Sequence, residues 1–183
     1  RAAFCAEGID VPIIVAAVGG STIADTKGTI AATITNLGPI PSGKKVGFIV
    51  HIGSNDIDAE TYEAATQVKR DQMRNDLIAI LATIRNAGHE PILTTSTCRN
   101  GEQDKFESWM NGLWHPLAVQ ETPKWTRGGK CVFDYTQLYR DNLSTPNWYN
   151  PDNTHPWMAT PAMQTYTAQK LKERRYNTLK DYT

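Results

Sequence analysis

The sequence has no excess charge of either sign, no long apolar run and no cysteine framework. Its 19 basic and 19 acidic residues cancel, which argues against nucleic acid or a membrane surface as a partner. The longest apolar run, VPIIVAAVGG, is too short to cross a bilayer, and no segment has the pattern of a signal peptide. A chain of 183 residues therefore predicts one globular domain with a buried core.

The cysteines exclude two further classes of protein. Cys5, Cys98 and Cys131 are odd in number and widely scattered, so they form neither a disulfide framework nor a metal-binding spacing. We expect ordinary thiols, or at most one bridge.

Strand-like and helix-like segments alternate along the chain. Continuous apolar or β-branched runs predict strands, and apolar residues at helical spacing predict helices. This alternation implies parallel strands joined by crossovers, with helices covering both faces of the sheet. The predicted strands are residues 11–18, 46–52, 90–97 and 130–135. Three predicted helices are residues 23–38, 102–119 and 159–175. A fourth helix carries Val68 to Ile84 and is predicted to stop at Gly88.

Several chemically notable residues follow the predicted strands. Gly20 ends the first strand, Asn55 follows the second, and residues 94–98 end the third, while His155 lies on a long loop near the end of the chain. Ligands of open α/β sheets bind beyond the carboxyl ends of the strands. These residues therefore predict one site at that edge.

Two short motifs carry a family resemblance. The block GSND at residues 53–56 follows a strand, and the block DNTHP at residues 152–156 precedes the last helix. In this order and placement they resemble the SGNH (GDSL-type) hydrolases over nearly the whole chain. The resemblance implies a three-layer α/β/α sandwich with a mainly parallel, flavodoxin-like sheet, formed as a single domain by residues 1–183.

The resemblance also implies roles for individual residues. His155 would be the general base and Asp152 would orient it, as in a Ser-His-Asp triad. Asn55 would donate its side-chain amide to the oxyanion, and Asp56 would accept backbone N–H bonds. The alternative for Asp152 and His155 is an Asx-turn beside an incidental surface histidine. The alternative for Asn55 is a simple turn residue at a strand end.

The block GGST allows two interpretations. Ser21 is the nucleophile, or GGST is the family's second block, in which Gly20 supplies an oxyanion N–H. Only 34 positions separate Ser21 from Asn55, less than the family's usual spacing between nucleophile and asparagine, and the upstream residues resemble the carbohydrate acetylesterase (sialate O-acetylesterase-like) branch. We favour the second interpretation.

The second interpretation has a structural consequence. The strand that carries the nucleophile, the first of the family's fold, is then missing from this chain, and a preceding segment or a second chain supplies it. Residues 11–18 and 46–52 would each pair with that strand, whereas direct pairing between them would make Ser21 the nucleophile.

The branch resemblance favours a serine esterase that removes acetyl groups from a carbohydrate, with no metal or organic cofactor. Aromatic side chains near the site are candidates for stacking on sugar rings, or for ordinary packing: Trp109, Trp114, Trp125, Trp148, Tyr149 and Trp157. The rival hypothesis is a non-catalytic carbohydrate-binding or structural domain with the same fold. The location stays open, with a secreted or particle-associated protein preferred to a cytoplasmic one.

Overall fold

A computed structural model describes residues 16–40, 46–57, 60–96, 101–121, 135–136, 165 and 168–169. A π-helical turn joins helices α3 and α4 without a break. Within these ranges no helix is both long and apolar enough to span a membrane. The elements are α1 (Ile23–Thr35), β1 (Gly47–Val50), α2 (Gln67–Asn86), β2 (Glu90–Leu93), α3 (Gln103–Trp109), the π turn (Met110–Trp114) and α4 (His115–Glu121).

The two described strands form a parallel pair connected by α2. Gly47 lies opposite Glu90 and Val50 opposite Leu93. The Thr94 N–H continues the ladder by donating to the Val50 carbonyl at 3.1 Å. This strand–helix–strand unit is compatible with the predicted α/β class, and both strands are shorter than the sequence predicts.

Capping residues fix the helix ends. Thr22 and Asp25 form a capping box at the start of α1, and the Thr66 side chain accepts from Lys69 N–H at the start of α2. The stop predicted at Gly88 is confirmed, because this residue follows the end of α2 with φ +81°.

The core lies between α2, the sheet and the helix that runs from α3 to α4. The buried stripe of α2 is confirmed, since Met73, Leu77, Ile80, Leu81 and Ile84 are all at most 7% exposed. Val68 was predicted on the same stripe, but it lies in the first turn of α2 and is 80% exposed. The stripe therefore begins one turn later than the sequence pattern suggests.

Two predicted strands need correction. Ala16–Val18, the end of the first predicted strand, form no strand and are exposed, because the chain already enters a turn at Val18. Residues 11–15, which decide how that strand pairs, lie outside the described residues. Tyr135, the last residue of the fourth predicted strand, is helical together with Thr136.

The last predicted helix is confirmed where it is described. Thr165, Ala168 and Gln169 are helical, and the Ala168 side chain is fully buried. This helix therefore contributes to the core, as its amphipathic pattern predicts.

An ion pair ties α1 to α2. The Asp76 carboxylate is 5% exposed and accepts from Lys27 Nζ at 2.5 Å and from Gln72 Nε2 at 2.8 Å. Burial raises the pKa of Asp76, but the hydrogen bonds from Lys27 and Gln72 outweigh it and hold the pKa below its ordinary value.

Asp76→Asn is expected to lower the free energy of unfolding by about 1–2 kcal/mol at neutral pH, because the ion pair is lost. A carboxylate with a lowered folded-state pKa stabilises the protein above its unfolded pKa of about 4, and this contribution disappears as pH falls through the folded value. The difference between wild type and variant in urea unfolding should therefore shrink in acid. Asp71→Asn, on an exposed part of α2, is the control, and a difference independent of pH would contradict the assignment.

Candidate functional site

The block GGST forms a tight turn before α1. Ser21 N–H donates to the Val18 carbonyl at 3.3 Å, and Gly20 has φ +79°, a conformation that glycine adopts without strain. Thr22 then caps α1, so the turn delivers the chain directly into the helix.

The block GSND and Ile57 form the Asn55 loop, residues 53–57, which begins three residues after the end of β1. The Gly53 carbonyl accepts from Asp56 N–H at 3.0 Å and from Ile57 N–H at 3.1 Å, which closes a compact turn. Asn55 lies exposed at the outside of this turn, whereas Ile57 is buried beneath it. The loop therefore presents the Asn55 amide at the carboxyl end of the strand.

Two contacts join the turn and the loop across 34 and 33 positions of sequence. Asn55 Nδ2 donates to the Ser21 carbonyl at 3.0 Å. Both carboxylate oxygens of Asp56 accept from Ile23 N–H, at 3.0 and 3.1 Å. The structure thus brings Gly20, Ser21 and Asn55 together. Asp56 accepts a backbone N–H as predicted, although the donor belongs to α1 rather than to its own loop.

Two carboxylates, Asp56 and Asp25, lie where the Asn55 loop meets the start of α1. Partial burial raises the pKa of Asp56, the Ile23 N–H lowers it, and the neighbouring Asp25 carboxylate raises it again. Asp25 itself has a lowered pKa, because the backbone and side chain of Thr22 donate to it. The first N–H groups of α1 are therefore used by these carboxylates and by the Thr22 cap, and the positive end of the helix dipole is neutralised locally.

A polar layer continues along the carboxyl ends of the strands. Thr94, Thr95 and Ser96 are at most 1% exposed, and the Thr95 hydroxyl accepts from Thr136 N–H at 3.1 Å. The Thr136 hydroxyl donates to the Ser96 carbonyl at 3.0 Å, so the layer is internally bonded.

His51 borders this layer and was not singled out by its position in the sequence, which predicts a buried strand residue. It follows β1 and is exposed, with Nδ1 3.0 Å from Thr94 Oγ1 and its ring edge-on to Tyr135. Burial lowers the pKa of His51 to about 4, while the Thr95 backbone raises it. The exposed surface of the ring weakens this effect, and the lowered pKa keeps the imidazole mostly neutral at pH 7. In the sequence, the only indication that His51 lies near the site is its position two residues before Gly53 of the GSND block.

The other predicted site residues, Asp152 and His155, lie outside the described residues, as do the three cysteines. The sugar-stacking hypothesis is wrong for Trp109 and Trp114, which are fully buried in the core. The remaining candidates, Trp125, Trp148, Tyr149 and Trp157, also lie outside the described residues.

Comparisons of the chain with family models, with curated proteins and with solved structures find no match. The described ranges contain no group of three or more histidine, cysteine or acidic side chains that could hold a metal ion.

Proposed function

We propose that this chain is an SGNH-type serine ester hydrolase domain, with a three-layer α/β/α fold, that removes acetyl groups from a carbohydrate. The observation that carries the proposal is the 3.0 Å bond from Asn55 Nδ2 to the Ser21 carbonyl. It joins the asparagine of the GSND block to Ser21, the residue after Gly20 in the GGST block, and so supports the proposal of a shared oxyanion site. The motif resemblance supplies the other roles.

The chemistry is acyl transfer in two steps. A serine hydroxyl attacks the acetyl carbonyl and gives its proton to His155, while the carbonyl oxygen gains negative charge between the Asn55 amide and Gly20 N–H. His155, oriented by Asp152, then protonates the departing sugar hydroxyl. A water molecule, deprotonated by His155, releases acetate from the acyl-enzyme.

We propose that the nucleophilic serine comes from a strand supplied by a preceding segment or by a second chain, with Ser21 as the alternative. The spacing of the two blocks supports this choice. The exposed Ala16–Val18 end of the first predicted strand is compatible with it. Labelling the purified chain with a fluorophosphonate, followed by peptide mass spectrometry, distinguishes the two nucleophiles. A label on Ser21 contradicts our preference.

The test of the function is hydrolysis of a small acetyl ester and of an acetylated oligosaccharide, followed by acetate release. We expect turnover by the protein when the nucleophile strand is present. If the oligosaccharide binds measurably in calorimetry but acetate never appears, the chain is a carbohydrate-binding module instead. If the protein neither binds the oligosaccharide nor releases acetate, both functions are contradicted.

A further inference from the structure

The segment that follows the Asn55 loop is bonded to the helix formed by α3, the π turn and α4. Trp109 Nε1 donates to the Glu60 carbonyl at 2.9 Å, and Tyr62 N–H donates to Ser108 Oγ at 2.7 Å. The Tyr62 and Trp109 rings meet edge to face, with centroids 5.3 Å apart. This helix is therefore the platform on which the segment rests.

The loop itself meets the same helix at a glycine. A Cβ at Gly53 would lie 2.2 Å from the Trp114 ring, and Gly53 has φ +118°, so both space and backbone conformation require glycine. Trp114 is fully buried, and its Nε1 has no hydrogen-bond partner among the residues that the structure describes. The close fit of Gly53 against the ring therefore fixes how the loop lies on Trp114.

A second contact has the opposite arrangement, with the glycine on the helix and the aromatic ring on the segment. A Cβ at Gly112 would lie 2.2 Å from Tyr62 Cδ1. Glycine within a helix is less stable than alanine by roughly 1 kcal/mol. At Gly112 this cost is offset by the close approach of the Tyr62 ring.

Both contacts fall within the π turn. His115 N–H donates to the Met110 carbonyl, which gives this turn the wider i to i+5 pattern. The Met110 sulfur also accepts from Ser96 N–H at 3.2 Å, so the turn is joined to the chain just after β2. Single π turns interrupt α-helices frequently at functional sites.

We propose that the π turn is the positioning element of the Asn55 loop. Trp114 against Gly53 and Tyr62 against Gly112 act as a reciprocal pair of contacts that fixes where Asn55 presents its amide. The proposed role of these four residues is positioning, not contact with the substrate. The catalytic consequence of this inference rests on the proposed function, whereas its structural content does not.

The test compares two alanine substitutions at adjacent positions of the π turn. Gly112→Ala places a methyl group against Tyr62, whereas Asn111→Ala changes an exposed neighbour and is the matched control. In ¹⁵N-labelled protein, Gly112→Ala should shift the Asn55 side-chain NH₂ signals and the loop amides, and Asn111→Ala should leave them in place. The Asn55 signals are identified by their loss in Asn55→Ala.

Kinetics provide the second readout. Gly112→Ala should lower kcat for the acetyl ester by roughly 10- to 100-fold with little change in KM, because a small displacement of a transition-state donor affects the chemical step. Asn111→Ala should keep wild-type kcat. If the wild-type protein is inactive, the proposed function fails, but the amide shifts still decide the positioning.

The inference is overturned if Gly112→Ala folds and leaves the Asn55 signals unchanged. If Gly112→Ala does not fold, Tyr62→Ala provides the decision, because it removes one of the two contacts without adding a clash. In that variant the Asn55 signals should shift, and unchanged signals would again overturn the proposal. The double variant Tyr62→Ala/Gly112→Ala should fold, since the ring that meets the new methyl group is absent.

Discussion

Alanine in place of His155 is expected to lower kcat for an acetyl ester by roughly 10⁴-fold or more, the largest effect of any single substitution in this chain. In the proposed mechanism the imidazole removes the serine proton during attack and protonates the leaving hydroxyl, so its loss disables both steps. Asp152→Asn should produce a loss of similar order, because the ring is then held in the wrong tautomer. Initial rates of acetate release, with thermal unfolding as a check on folding, measure both effects.

His89→Phe is the matched histidine control for this experiment. His89 precedes β2 at the amino end of the sheet and stacks on Phe48 with centroids 5.6 Å apart. Its buried Nδ1 has no hydrogen-bond partner within the described ranges of the chain. Phenylalanine keeps the stacking and should leave kcat unchanged. Near-wild-type turnover by His155→Ala would show that the triad interpretation is wrong.

Asn55→Ala is expected to lower kcat by about 10²- to 10³-fold, with a smaller change in KM, since an oxyanion donor acts mainly in the transition state. The same substitution removes the bond to the Ser21 carbonyl, so the turn before α1 should also become less protected in amide hydrogen exchange. The Asp56 bonds to Ile23 N–H remain and should keep the loop attached to α1.

Asn75→Ala, at an exposed position of α2, is the asparagine control and should leave both kinetic constants unchanged. If Asn55→Ala raises KM while kcat stays the same, Asn55 binds the ground state and the transition state equally and is a substrate-positioning residue. Loss of secondary structure in circular dichroism would instead indicate that the Ser21 bond holds the fold.

Local signals in the sequence predicted much of the described architecture. The stop at Gly88, the buried stripe from Met73 to Ile84 and the parallel strands on either side of α2 follow from residue spacing and turn chemistry, which act over a few positions. The strand-end placement of Asn55 was predicted on the same basis, because the turn block follows an apolar run directly.

Local patterns in the sequence do not determine contacts between distant segments. Whether Val68 is buried depends on what lies against the first turn of α2, and no local pattern records that it faces solvent. The sequence suggested Trp109 and Trp114 as ligand-stacking residues, but the tertiary structure places them in the core, with Trp114 against Gly53.

The sequence by itself determined the alternation of helices and strands and the two blocks, GGST and GSND, that are candidates for the site. Only the tertiary structure decided which atoms join these blocks, the Asn55 amide and the Ser21 carbonyl, and that Trp114 of the π turn packs against Gly53 of the loop. The physical reason is that periodicity and capping are set by neighbours along the chain. The position of a side-chain donor is set by close packing between residues more than 30 positions apart.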